Sequence, residues 1–249
     1  MIEARGEIRA DIVSEALRVL DAAADVPLRL LGGVAIAVSL PGEPLLSRPY
    51  NDIDFITAKG EGPTIAKLFE ELGYEGDHQF NGLNGHRRLL FYDLQNERRI
   101  DVFVGRFEMC HMWPLERRLT VTGRTIPLAD LLLTKLQIFA LNEKDQRDIL
   151  NLLHGHKLME QDADGINTAY IAELCAADWG LWRTLTMNIE RARVAVQRFE
   201  LAPHDEKIVV SRLDDLRRRI DFEPKSTKWK LRARIGERVK WYEEPEEVG

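Results

Sequence analysis

Cysteine is scarce in this chain, with two in 249 residues. Cys110 and Cys175 lie far apart and match no metal-ligand or redox spacing. That excludes a disulfide framework and a cysteine-built zinc site, and it implies a reduced, cytoplasmic setting with both thiols structural. Long apolar runs are lacking too. The longest, Leu30 to Leu40, holds two glycines and is too short to span a bilayer, so no membrane partner is expected. The start, Met1-Ile2-Glu3-Ala4-Arg5, has no basic region followed by an apolar stretch, and no secretory signal is expected. Excess positive charge is absent as well. Lys and Arg number 35 against 41 Asp and Glu, a net −6 that speaks against a protein built to coat nucleic acid.

The ordinary share of apolar residues, 45%, is enough to build a core over this length and excludes wholesale disorder. The charge is distributed unevenly. Between Ser211 and Lys240, eleven Lys and Arg face five Asp and Glu, a local +6, whereas four glutamates and no basic residue follow Trp241.

Hydrophobic spacing divides the chain near Ile126. Ile8, Ile12, Ala16, Val19 and Leu20 predict a first helix that Pro27 terminates. Leu28 to Leu31, Gly32-Gly33 and Val34 to Leu40 predict strand, glycine turn and helix, followed by a loop at Pro41, Gly42 and Pro44. Asp52 to Ile56 predicts a strand with Ile53 and Phe55 on one face and Asp52 and Asp54 on the other. Pro63 opens a helix with the stripe Ile65, Leu68, Phe69 and Leu72, ending at Gly73. Asp77 to Gly85, rich in Gly and Asn, predicts a loop. Arg88–Leu94 and Arg99–Val104 predict a hairpin, and Arg118–Ile126 a second, shorter one around Gly123. Beyond Pro127 strand signals nearly vanish. Helices are predicted at Pro127–Leu141, Lys144–Leu153, Ile166–Trp179, Leu181–Leu201, His204–Ile220 and Ser226–Trp241. The expected organisation is an α+β domain over 1–126 and a helical domain over 127–249.

Asp52-Ile53-Asp54-Phe55 carries the chemistry. Two carboxylates two apart on a strand project side by side and repel unless a cation stands between them. Hard oxygen ligands of this kind suit Mg²⁺ or Mn²⁺. A bare Asp-x-Asp also occurs on solvated strand faces, so its neighbours matter. Gly32-Gly33 sits at a strand-to-helix turn, where backbone N–H groups and the helix dipole favour a phosphate. Asp101 stands in the otherwise apolar run Ile100 to Val104, where a carboxylate needs a partner or a cation. Arg48, four residues before Asp52, is placed to hold a phosphate.

Together, Gly32-Gly33, Arg48-x-x-x-Asp52-Ile53-Asp54-Phe55 and Asp101 on a later strand resemble the DNA polymerase β-like nucleotidyltransferase superfamily. Within it the residues are most similar to AbiE-type toxins and antibiotic adenylyltransferases of bacteria. The resemblance covers Leu28 to Val104 and continues weakly to Leu153. It implies a mixed sheet flanked by helices with a helical domain behind it. It further implies a metal-dependent transfer of a nucleotide from a nucleoside triphosphate such as ATP to an acceptor hydroxyl. Asp52, Asp54 and Asp101 would be the metal ligands, with Asp101 as general base. Gly32, Gly33 and Arg48 would be the nucleotide-binding residues. Tyr50 stands where many members carry a small hydroxyl residue. The acceptor implied is tRNA, a protein or a small molecule, and a toxin-like member would have an antitoxin partner. A nucleotide-binding or partner module without turnover is the alternative from another class.

In the second half, Leu128, Leu131, Leu132, Lys135, Leu136 and Phe139 share a helical stripe in which Lys135 is the one charge. It either snorkels outward or reaches a phosphate. The AbiE-type resemblance implies a functional lysine and aspartate here. Lys135 fits the first, and Asp145 and Asp148 compete for the second, with Asp148 preferred. His154-Gly155-His156 and Cys110-His111 lack the further ligands or context of a site. Asp162-Ala163-Asp164-Gly165 lacks calcium-loop spacing and predicts a turn. The basic segment with Trp229 and Trp241 suits either RNA contact or a solvated helix face.

Overall fold

The structure, a computed structural model, describes residues 2–113, 115–121, 123–163 and 165–244, with side chains described from residue 12 onward. Its mixed α+β fold separates into two compact units. One holds residues 1–39, 48–108 and 112–127. The other holds residues 40–47, 109–111 and 128–249.

The first unit is built on helix α1 (Ile2–Ala22), strand β1 (Arg29–Leu31), helix α2 (Gly32–Ser39), strand β2 (Asp52–Thr57), helix α3 (Gly62–Glu71), strand β3 (Glu75–Gly76), helix α4 (His78–Asn84) and strands β4 (Arg88–Asp93), β5 (Arg98–Val104), β6 (Phe107–Glu108) and β7 (Met112–Trp113). The main sheet has the order β1-β2-β5-β4-β3. β2 and β5 run parallel and the other neighbours antiparallel. Strand alternation gives the sheet two distinct faces. On one, Phe55 of β2 and Phe91 of β4 meet Phe69 of α3, with ring centroids 5.8 and 4.7 Å from Phe69. All three rings are fully buried, which contributes roughly 1.5–3 kcal/mol each. The other face carries Asp52, Asp54 and Asp101.

Two expectations fail in this unit. Asp77–Gly85 is not a loop but contains α4. The Asp77 side chain accepts from the Phe80 N–H and caps it. Asn81 then locks the helix to β4, donating to the Leu90 carbonyl at 3.0 Å and accepting from its N–H at 2.7 Å. Nor does 118–126 pair with itself among the described residues. Leu30 N–H donates to the Arg124 carbonyl and Ile126 N–H to the Leu30 carbonyl, so this stretch bridges to β1 instead. The free edge of β1 outcompetes a hairpin made of polar turn residues.

The second unit contains helix α5 (Leu128–Leu136), helix α6 (Glu143–Gly155), strands β8 (Lys157–Met159) and β9 (Gly165–Asn167), and helices α7 (Thr168–Ala177), α8 (Trp179–Arg198), α9 (Pro203–Phe222) and α10 (Thr227–Ile235). Two helices stop earlier than expected. α5 ends at Leu136 because Asn188 of α8 donates to the Leu136 and Ile138 carbonyls and Arg191 to that of Phe139. Those side chains take the place of further helical turns. α10 ends at Ile235, where Gly236 adopts φ +61° and Arg232 donates to the Gly236 and Val239 carbonyls. The turn at Asp162 is present, while Asp164 lies outside the described residues, as do the last two glutamates of the tail and Thr122. Among the described residues no helix is long and apolar enough to cross a membrane.

Candidate functional site

The aspartate face of the first unit follows from register. Asp54 is the direct partner of Asp101 across the parallel β2–β5 pair, and Asp52 is the partner of Arg99. Side chains at paired positions share a face, and residues two apart on a strand share it as well. Asp52, Asp54, Arg99 and Asp101 therefore form one patch. Asp52 is exposed, Asp54 half-buried and Asp101 buried. Across β5 from Phe103, Arg88 of β4 joins the same face.

The glycine turn closes on this patch. Gly32 adopts φ +71°, which a residue with a side chain rarely tolerates, and a β-carbon there would overlap the Asp54 carboxylate. A β-carbon on Gly33 would overlap the Arg48 guanidinium. Arg48 also lies over the Tyr50 ring, 4.2 Å from its centroid, and donates to the Pro49 carbonyl at 3.0 Å. Gly32, Gly33, Arg48, Asp52 and Asp54 thus stand together where β1 turns into α2. The start of α2 meets one carboxylate and one guanidinium through its two glycines.

Asp101 is held by two arginines. Arg88 holds Oδ1, donating from Nε at 2.8 Å and approaching with Nη2 at 2.6 Å. Arg99 Nε stands 3.1 Å from Oδ2. Both oxygens face guanidiniums, while the strand register keeps Asp101 beside Asp54 on the same face. Among the described residues no three His, Cys, Asp or Glu side chains are grouped to hold a metal ion. The donor set offered to a divalent cation is Asp52 and Asp54, two hard oxygen ligands of the kind Mg²⁺ or Mn²⁺ takes. Both fit it.

Arg88 and Arg99 were missed by the sequence reading. The Arg-x-Asp pattern at 99–101 and the antiparallel register of β4 on β5 were the available signals.

In the second unit, Lys135 turns inward. Its Nζ lies 2.9 Å from Asp145 Oδ1 and 3.0 Å from Asp148 Oδ2. The two candidate aspartates are thus partners of the same lysine. Asn142 caps α6 through the Asp145 N–H at 3.0 Å, which fixes the turn carrying Asp145. The residues passed over are built into structure. His154 Nε2 meets Asp205 at 2.9 Å. His111 Nε2 meets the Thr184 hydroxyl at 2.8 Å, and burial lowers its pKa to about 4. Both cysteines are free and buried.

No family model and no curated protein matches the chain. Among solved structures it is similar to that of JHP933 from Helicobacter pylori, at 12% identity and TM-score 0.38, over 88% of this chain and 95% of that one. It is also similar to a STING-associated CdnE c-di-GMP synthase from Capnocytophaga granulosa. That likeness has 12% identity and TM-score 0.31, over 90% of this chain and 82% of the other.

Proposed function

We propose that the chain is a metal-dependent nucleotidyltransferase that moves a nucleoside monophosphate from a nucleoside triphosphate to an acceptor hydroxyl. The observation that carries this reading is the Asp52–Asp54 pair on β2, closed at one side by the Gly32 backbone at the start of α2. Asp52 and Asp54 would hold Mg²⁺ or Mn²⁺. When bound, such a cation offsets triphosphate charge and lowers the pKa of a coordinated hydroxyl. The N–H groups opening α2 and the Arg48 guanidinium bind phosphate oxygens. The acceptor oxygen forms a bond to the α-phosphorus, the bond to the oxygen bridging to the β-phosphate breaks, pyrophosphate departs with that oxygen, and the acceptor proton passes to solvent water at the exposed Asp52 end of the patch. Asp101 is a positioning residue in this scheme. It holds Arg88 and Arg99 on the aspartate face, where their charge offsets the phosphates. Lys135, Asp145 and Asp148 support the helices that carry them. The acceptor is tRNA or a protein for a toxin-like enzyme with an antitoxin partner, and a drug for an antibiotic-modifying one.

The test is label transfer from [α-³²P]NTPs, with Mg²⁺ or Mn²⁺, to total tRNA, to protein and to a drug panel. Asp54→Asn should lower transfer by about 10³-fold, the scale of losing one preorganised electrostatic group, without shifting thermal unfolding. Undiminished transfer in that variant overturns the reading.

The arginines on Asp101 favour a second reading, a nucleotide-binding module without turnover. It predicts Mg²⁺-dependent thermal stabilisation by NTPs with no label transferred to any acceptor.

A further inference from the structure

The second unit contains a groove of about 880 Å³ whose lining the transferase reading does not use. α8 and α10 form its walls, with Arg217 contributed by α9. Three of the chain's five tryptophans line it, Trp179, Trp182 and Trp229. Trp182 and Trp229 meet edge to face at 5.2 Å, and Trp179 lies 6.3 Å from Trp182.

α10 is an unusual helix for a globular unit. None of its residues is buried, and Lys228, Lys230, Arg232 and Arg234 punctuate nine positions without an acidic residue. The groove's four arginines face two glutamates. Arg183 is held by Glu237, and Arg217 by Glu190 and Asp221. Arg234 and Arg238 have no acidic partner among the described residues. The Trp229 indole N–H is buried and has no acceptor among the described residues, whereas that of Trp182 donates to Asp221 at 3.3 Å.

From this lining we infer that the groove binds an unpaired polynucleotide strand. The half-exposed indoles of Trp182 and Trp229 offer stacking that tolerates any base, over a floor formed by the buried Trp179, and guanidiniums without carboxylate partners offer phosphate contacts. A folded acidic protein would use the charges but not the clustered indoles. A duplex would present phosphates but no free base faces. The proposal does not rest on the Asp52–Asp54 pair.

The test uses the full chain and a 5′-fluorescein-labelled twelve-nucleotide oligouridine, read by fluorescence anisotropy at several salt concentrations. Oligothymidine of the same length should bind equally, because neither stacking nor phosphate contact reads the 2′-hydroxyl. Trp229→Ala should weaken binding about tenfold, the scale of one stacked base. The double variant Arg234→Glu, Arg238→Glu should weaken it further and reduce the slope of log K against log salt by about 1.4, since each single-strand phosphate contact contributes about 0.7. Those two side chains lack acidic partners, so their reversal leaves the fold intact, as a thermal melt verifies. Asp54→Asn should bind like the parent chain, which separates failure here from failure of the transferase reading. Three outcomes overturn the inference: no binding by the parent chain, tighter binding of the duplex, or equal competition by polyglutamate with Trp229→Ala unaffected.

Discussion

Each unit buries one charged side chain between two of the opposite sign, and the two arrangements are inverses. In the first, Asp101 is 1% exposed and lies between Arg88 and Arg99, which are 21% and 39% exposed. In the second, Lys135 is 12% exposed between Asp145 and Asp148, at 8% and 0%. The flanking groups make the difference. Both arginines reach solvent and can swing away from Asp101 without losing hydration. The aspartates have no such exit, and one of them is completely enclosed. Taking charges out of water is costly, so the second group depends on the lysine that both enclosed carboxylates share. The first is adjustable and lies on the aspartate face; the second is a fixed joint between α5 and α6.

Breaking the fixed joint should have the largest effect. Lys135→Met leaves two buried carboxylates facing each other and should cost about 3–5 kcal/mol of stability, measured by urea unfolding. A loss below about 1 kcal/mol would show that water reaches the joint and that the two groups do not differ in kind.

The second unit holds another ionisable group, His111, that it keeps neutral. Burial lowers its pKa to about 4, and its Nε2 meets the Thr184 hydroxyl, which also accepts from Trp241 Nε1 at 3.1 Å. The unfolded chain takes up the proton near pH 6.5 and the folded one does not until about 4. More protons are then bound in the unfolded state. The stabilisation is complete above pH 6.5, falls by about 1.4 kcal/mol per pH unit below it, and levels off below about 4. Over that window the loss reaches about 3 kcal/mol. Urea titrations between pH 7 and 4 should show this slope in the parent chain and lose most of it in His111→Gln. A slope unchanged by that substitution assigns the effect to carboxylates instead.

Asp101→Asn probes the adjustable group. The arginines can turn to water, so stability should fall by about 1.5–3 kcal/mol, the scale of hydrogen bonds to charged groups. Its effect on label transfer should be smaller than that of Asp54→Asn, and Mn²⁺ affinity, read by electron paramagnetic resonance, should stay near that of the parent. A tenfold loss of Mn²⁺ affinity would return Asp101 to the metal-ligand role that the sequence suggests.

The contrast also explains which features were legible in the chain. Strand β2, the glycine turn and α6 follow from local rules: period-two alternation, paired glycines and a capped amphipathic stripe. The Asp52–Asp54 pair on β2 and the Gly32-Gly33 turn follow from the same local rules, but their meeting depends on the β1–β2 pairing, which joins residues more than twenty apart in sequence. What escaped depends on partners distant in sequence. Arg88 reaches Asp101 only through the β4–β5 register. The early end of α5 is set by Asn188, some fifty residues on. α4 looked like a loop because Asn81, a poor helix former, earns its place through bonds to Leu90. Lys135 was ambiguous because an apolar stripe with one lysine reads the same whether the amine faces water or two buried aspartates.

The smallest expected effect decides between the two aspartates of the joint. Both contact Lys135 at nearly equal distance, 2.9 and 3.0 Å, so distance does not rank them. Environment does. Asp148 lies wholly inside, whereas Asp145 sits in the first turn of α6, where the positive end of the helix dipole favours a carboxylate and some solvent remains. Each Asn substitution leaves one carboxylate on Lys135, so neither should approach the loss from Lys135→Met. Asp148→Asn swaps one enclosed oxygen for an amide group that no water can reach, while Asp145→Asn can be solvated at its edge. The first should therefore cost about 1 kcal/mol more than the second, the scale of one unsatisfied buried polar group. The double substitution should exceed the sum of the single ones, because it removes both carboxylates that the lysine contacts at 2.9 and 3.0 Å. Simple additivity would mean that Lys135 turns outward when challenged, and the joint would then be as adjustable as the Asp101 group.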